Sequence, residues 1–194
     1  MPNDGQLVTQ LQSGDLDVLG VLYERHKMNV YRTALAITRD PSAAEDILQD
    51  CFLRMYERAH LIDSSLPLKP WLYRVTVNMA YNWERRKRRW QTSLDGIVDW
   101  LASPIYHSPE WQAEMSDMRG EVMNAVSSLN INQRIVVILF YLNSLSVKEI
   151  AAILECPVGT VKSRLYHGRE NLRQKLEKPT AGYRMPFEVA YSSI

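Results

Sequence analysis

Apolar residues in this 194-residue chain recur at intervals of three and four, and no segment shows the alternation with turn residues that a sheet requires. Between 41 and 59, Ala44, Ile47, Leu48, Cys51, Phe52 and Met55 form one apolar stripe down a helix, and Asp40 with Pro41 supplies its start. Residues 15–38 carry a second stripe through Leu19, Leu22, Tyr23, Val30, Ala34 and Ile37. "HLIDSSLPLKP" reads as a loop, after which a third long helix is expected from about 69 to 89. Periodicity fails over "WQTSLDGIVDWLASPIYHSPEW", then resumes at about 114 and continues to 177. The expected fold is therefore all-α: two small helical domains, 1–90 and 114–178, joined by a flexible linker over 91–113 and followed by a flexible tail over 179–194.

A net charge of only +1 says little about partners, but its distribution says more. Between 69 and 90, Lys69, Arg74, Arg85, Arg86, Lys87, Arg88 and Arg89 face a single acid, Glu84. Between 91 and 128 the balance inverts, with six carboxylates against Arg119. Cys51 and Cys156 lie far apart and outside any CxxC or Cys/His ligand spacing, so neither a disulfide framework nor a structural metal site is expected. The longest apolar run, "IVVILFYL" at 135–142, is too short to span a bilayer, and "MPNDGQLVTQ" has no basic-then-apolar signal pattern. The cytoplasm is the expected location, and no cofactor is expected.

The segment "SLSVKEIAAILECPVGTVKSRLYHGRENL" reads as a short helix, a tight turn and a longer helix. Ser146 and Glu149 fit a capping box, and the helix they open is expected to bury Ile150, Ala151 and Leu154, with Ile153 a possible addition. Pro157 fits the first turn of the next helix, whose inward line is Val158, Val161, Leu165, Gly168 and Leu172. Thr160, Lys162, Ser163, Tyr166, His167, Arg169 and Arg173 fall off that line. This is the plan of a helix-turn-helix, in which small polar side chains let the backbone enter the major groove while cations meet phosphates and base edges. Tyr166 and His167, taken singly, suit a half-buried packing role at least as well.

These residues strongly resemble the C-terminal domain of bacterial sigma factors of the extracytoplasmic-function type. "AEDILQDCFLRMYE" at 44–57 resembles that family's polymerase-binding helix, and "WLYRVTVNMAYNWERRKRR" at 71–89 its promoter-melting and −10-reading helix. The resemblance runs from about 15 to 177, with its three motifs in order. It implies a factor that binds core RNA polymerase, recognises −35 and −10 promoter elements, helps open the duplex, is not an enzyme, and is commonly restrained by an anti-sigma protein.

It also implies roles for particular residues. On the 41–59 helix, the acidic, amide-bearing face opposite the stripe holds Asp46, Gln49 and Asp50, which the resemblance assigns to the polymerase. On the 69–89 helix, Arg74, Asn78, Asn82, Arg85 and Arg89 recur at steps of four, four, three and four and so share one face, with Leu72, Val75, Met79 and Trp83 on another. Amides flanked by guanidinium groups can satisfy base edges while neutralising phosphates, and the resemblance gives this face the −10 element. Thr160, Lys162, Ser163, Arg164, Tyr166 and His167 are assigned to the −35 element, His167 standing where relatives often carry Arg. The loop before Trp71, which shapes the pocket for an unstacked base in the family, lacks the Gly and aromatic residues common there, so its base preference is left open.

A fully extended linker over 91–113 would reach about 75 Å. Promoter elements some 25 base pairs apart are separated by about 85 Å, so the two domains and the linker together can span them. Two other readings compete. A stand-alone helix-turn-helix regulator leaves the 44–57 motif unexplained and needs a dimer symmetry that is not evident. A nuclease or nucleotide-processing enzyme finds no carboxylate cluster, metal-ligand spacing or phosphate-cradling loop.

Overall fold

The computed structural model describes residues 2–93 and 117–176, which form eight α-helices among the described residues. The linker and tail expected from the sequence fall almost wholly outside the described residues. In the N-terminal body, α1 covers Asp4–Gln12, α2 Asp17–Thr38, α3 Pro41–Glu57 and α4 Leu68–Ser93, with a single 3-10 turn at Ala59–Leu61. In the C-terminal body, α5 covers Asp117–Ser127, α6 Ile131–Tyr141, α7 Val147–Ile153 and α8 Val158–Leu176.

Helix starts follow local chemistry. Asp40 accepts a hydrogen bond from the Ala43 amide at 3.0 Å, and Pro41 opens α3 where a missing N–H costs nothing. Ser146 and Glu149 form the expected capping box, and the Glu149 carboxyl is held below its ordinary pKa by its bonds to Ser146. Helix α1 was not foreseen. Asn3 and Gln6 cap it reciprocally, and Leu7, Val8 and Leu11 bury one short stripe. Gly5 sits so close to the 63–67 loop that an added Cβ would lie 2.3 Å from the Ser64 carbonyl oxygen.

One apolar cluster fills the N-terminal body, with Leu7, Leu22, Val30, Cys51, Phe52, Met55 and Leu72 at its centre. Cys51 is fully enclosed, and burial pushes its thiol pKa up to about 11. A second cluster belongs to neither body alone. Ala34, Ile37, Val77 and Ala80 of α2 and α4 join Ile135, Val136, Leu139, Ile150 and Val161 of α6, α7 and α8. Helix α6 is buried nearly all round because α2 and α4 pack on one side and α8 on the other.

Details of the inward lines differ from the sequence reading. Ile153 is buried in α7, whereas Leu154 is half-buried at its C-cap. Val158 opens α8 39% exposed and leaves Val161, Leu165, Gly168 and Leu172 to pack. Pro157 stands just before α8, its carbonyl receiving the Val161 amide at 3.3 Å. Gly168 is needed for close approach: a Cβ there would lie 2.9 Å from a Val137 methyl.

Candidate functional site

Helix α3 buries Ala44, Ile47, Cys51, Phe52 and Met55, which turns Asp46, Gln49 and Asp50 outward. All three are exposed, as are Glu45 and Glu57. Leu53 and Tyr56 add apolar surface to the solvent side of the same helix, 53% and 48% exposed. An acidic, amide-bearing face with apolar side chains that water does not favour is chemically suited to a basic protein groove and unsuited to a phosphate backbone.

Helix α4 buries Leu72, Tyr73, Thr76, Val77, Met79 and Ala80, so Tyr73 is a core residue, and Val75 and Trp83 are only half-buried. The opposite face presents Arg74, Asn78, Asn82, Arg85 and Arg89, every one exposed. Lys87 lies over the Trp83 ring at 4.6 Å, which fixes an indole beside this cationic face. Near the start of α4, an open cleft of about 540 Å³ lies between α1, the 64–67 loop and the first residues of α4, lined in part by Asn3, Asp4 and Arg25. Asp4 holds this corner together: it pairs with Arg25 at 2.6 Å and accepts a hydrogen bond from the buried His26 at 2.9 Å. Burial lowers the His26 pKa, and Asp4 only partly offsets that effect.

On α8, Lys162, Ser163, Tyr166 and His167 are exposed, while Thr160 and Arg164 are half-buried. Tyr166 is 60% exposed and meets His167 edge to face at 5.3 Å, so neither residue takes the half-buried packing role. Arg169 anchors the helix behind them, donating to the Tyr141 hydroxyl at 2.7 Å across the rings of Phe140 and Tyr141.

The α4 and α8 faces are neighbours. Asn78 and Arg164 line one cleft of about 210 Å³ together with Tyr81, Asn132 and Leu154. At its edge Arg74 forms an ion pair with Glu155, which occupies the helix-turn-helix turn at φ 49°. The sequence reading missed the tie beneath. Glu84, counted there as the lone acid of a basic segment, is buried and accepts a hydrogen bond from Arg134 Nη1 at 3.0 Å. The same nitrogen donates to the Ile37 carbonyl, and Nη2 donates to the carbonyls of Ser127 and Leu129. Burial draws the Arg134 pKa down, Arg39 acts in the same direction, and Glu84 opposes both. A signal did exist: Glu84 lies four and seven residues beyond the buried Ala80 and Val77, on their face of the helix.

Residues 22–90 match the family described as Sigma-70 region 2, and residues 119–172 match Sigma-70, region 4. The chain is 32% identical to the ECF RNA polymerase sigma factor SigM of Bacillus subtilis (strain 168), over 78% of this chain and 91% of that one. It is 30% identical to the ECF RNA polymerase sigma-E factor of Escherichia coli (strain K12), over 90% and 94% of the two chains. Its fold is similar to that of the sigma factor RpoE from Bartonella quintana, solved in complex with the anti-sigma factor NepR, at a TM-score of 0.63 and 25% identity over 78% of this chain and 92% of that chain. CnrH, in complex with the cytosolic domain of CnrY, shares the fold at a TM-score of 0.67 and 21% identity, over 90% of this chain and 97% of that chain. With both regions present in order and relatives aligned over nearly their full length, the chain belongs to the extracytoplasmic-function family of RNA polymerase sigma factors.

Proposed function

We propose that this sigma factor binds core RNA polymerase through the exposed α3 face, reads the −10 element with α4 and the −35 element with α8, and helps to open the duplex between them. The observation that carries the reading is the presence of region 2 and region 4 in order on one chain. A helix-turn-helix regulator acting alone accounts for 119–172 only. Asp46, Gln49 and Asp50 are the polymerase contacts. Arg74, Asn78, Asn82, Arg85 and Arg89 are the −10 contacts, the amides facing bases and the guanidinium groups facing phosphates. Thr160, Lys162, Ser163, Arg164, Tyr166 and His167 meet the −35 duplex. The open cleft between α1, the 64–67 loop and the start of α4 is a candidate receptacle for an unstacked base.

On this reading the protein catalyses no reaction itself and works in the cytoplasm beside the polymerase. No helix among the described residues is long and apolar enough to cross a membrane. An anti-sigma protein is the expected restraint, since one structure of similar fold holds a sigma factor, RpoE, in complex with the anti-sigma factor NepR. In vitro transcription with bacterial core polymerase tests the role. Initiation on promoter fragments should require this protein. No initiation on any fragment, together with specific duplex binding by the lone chain, would favour the stand-alone regulator.

A further inference from the structure

Helix α1 lies outside both matched regions, yet it braces the connection that leads into α4. Between α3 and α4 the chain forms only the 3-10 turn at Ala59–Leu61 and a loop over 62–67. A loop of this kind keeps one shape only where other groups hold it. Asp63 accepts from the Ser65 amide at 2.9 Å and from the Ser65 hydroxyl at 2.6 Å, which closes the tip into a tight turn. That turn fixes the form of the tip but not where it stands.

Its placement comes from α1. Gln12 Nε2 donates to the Ala59 carbonyl at 2.9 Å and to the Ile62 carbonyl at 2.8 Å, 47 and 50 residues further along the chain. Both partners are acceptors only, so the amide nitrogen must face them, and a side chain without donors cannot stand in for it. The Ala59 carbonyl also accepts the Ile62 amide at 3.0 Å, so one side chain clasps both ends of the 3-10 turn. At the other end of α1, Gly5 abuts the Ser64 carbonyl and leaves no room for a Cβ. Helix α1 is itself held by the bonds of Asp4 to Arg25 and His26 and by the burial of Leu7, Val8 and Leu11. The loop is thus fastened at its entry and at its tip to one anchored helix.

Beyond the tip, exposed Leu66 and Pro67 line the open cleft together with Arg25 and Lys69. Apolar side chains beside cations suit a nucleobase and its phosphate. Unstacking a base is unfavourable in itself, and a receptacle already in shape adds no ordering cost to it.

We infer that Gln12 is a positioning residue for base capture: through the Ala59 and Ile62 carbonyls it holds the 62–67 loop in the shape that receives an unstacked base. The inference rests on the proposed role of the cleft and gives α1 a part in promoter opening. Gln12 acts through the loop and not on DNA. Without its two bonds the loop takes other positions, and affinity for the base falls with the fraction of chains whose loop is in place.

Gln12→Met keeps the length and helix preference of the side chain while removing both donors. Holoenzyme assembled from core polymerase and this protein is titrated with fork-junction DNA from a promoter on which it initiates, the −10 non-template strand left single-stranded. Companion probes carry an abasic site at each of those nucleotides in turn. Gln12→Met should bind the intact probe about fivefold more weakly than the parent. That deficit should persist on every abasic probe except one, on which variant and parent agree within about twofold. Gly5→Ala, which disturbs the other fastening of the loop, should lose its deficit on the same probe. A deficit that persists on all abasic probes makes Gln12 a structural residue only and overturns the inference, as does the absence of any deficit. Both of those results leave the sigma role standing. A parent chain that supports initiation on no fragment overturns that role, and the inference with it.

Discussion

Glu84 Oε1 and Arg134 Nη1 meet 3.0 Å apart at a site where the two side chains are 7% and 2% exposed. Removing one partner of a buried pair typically costs about 3–5 kcal/mol, because the other charge is left uncompensated. Arg134 retains three carbonyl acceptors, so Glu84→Leu should fall near the lower end of that range. Glu84→Gln, which preserves one hydrogen bond, should lose about half as much. Urea unfolding of the three proteins measures both losses, and equal stability of all three would deny the pair a structural role.

Gly5→Ala should release α1. The added Cβ would lie 2.3 Å from a backbone carbonyl oxygen, which cannot swing aside as a side chain would. The ordinary gain of about 1 kcal/mol for alanine over glycine in a helix is outweighed by overpacking, so a net loss of about 1–2 kcal/mol is expected. Faster proteolysis before Leu16, with little change in cleavage of the C-terminal body, would locate the effect.

His26 gives stability a pH dependence with a definite sign. Its folded-state pKa is lowered from 6.5, chiefly by burial, so as pH falls below 6.5 the unfolded chain takes up a proton before the folded one does. Stability contributed by this group is therefore unchanged above pH 6.5 and declines below it until the folded pKa is reached. The slope from this one group cannot exceed about 1.4 kcal/mol per pH unit. Urea midpoints between pH 7.5 and 5 should fall more steeply for the parent protein than for His26→Gln.

The α3 surface can be altered without disturbing the core, since Asp46 and Gln49 are exposed while Ala43, Ala44 and Ile47 carry the packing. Asp46→Arg with Gln49→Ala should leave the unfolding free energy from urea titration within about 0.5 kcal/mol of the parent. Polymerase-dependent initiation should fall at least tenfold in the same variant. Normal initiation would remove these residues from the polymerase contact.

What was legible in the sequence was whatever a single helix decides for itself. The α3 stripe could be read because Ala44, Ile47, Cys51 and Met55 recur at three and four, which leaves Asp46, Gln49 and Asp50 outside by geometry. The exposed α4 face from Arg74 to Arg89 could be read for the same reason. Residues settled by another helix were not legible. Val158 lies on the inward line of α8 yet is exposed, and only from Val161 onward is that line buried. Ile135 to Leu139 are buried on every side because α2 and α4 cover what α8 leaves open, and no local pattern names that second partner. Glu84 shares the buried face of Ala80 and Val77, but nothing local names Arg134, fifty residues on, as its partner. Helix α1, nine residues long, offers too few turns for a stripe to stand out, and its docking depends on Gly5 meeting a loop nearly sixty residues away.

Asn78 of α4 and Arg164 of α8 line one cleft in the free chain, and reading the −10 and −35 elements of one promoter requires these faces to stand far apart. Spin labels at Ser42→Cys and Lys148→Cys, both exposed and outside the assigned contacts, report this distance on a Cys156→Ser background, with Cys51 enclosed in the core. A single short separation is predicted for the free protein, lengthening by at least about 30 Å when core polymerase and promoter DNA are bound, as reading elements about 85 Å apart requires. The same short separation in a complex that initiates transcription would contradict the account.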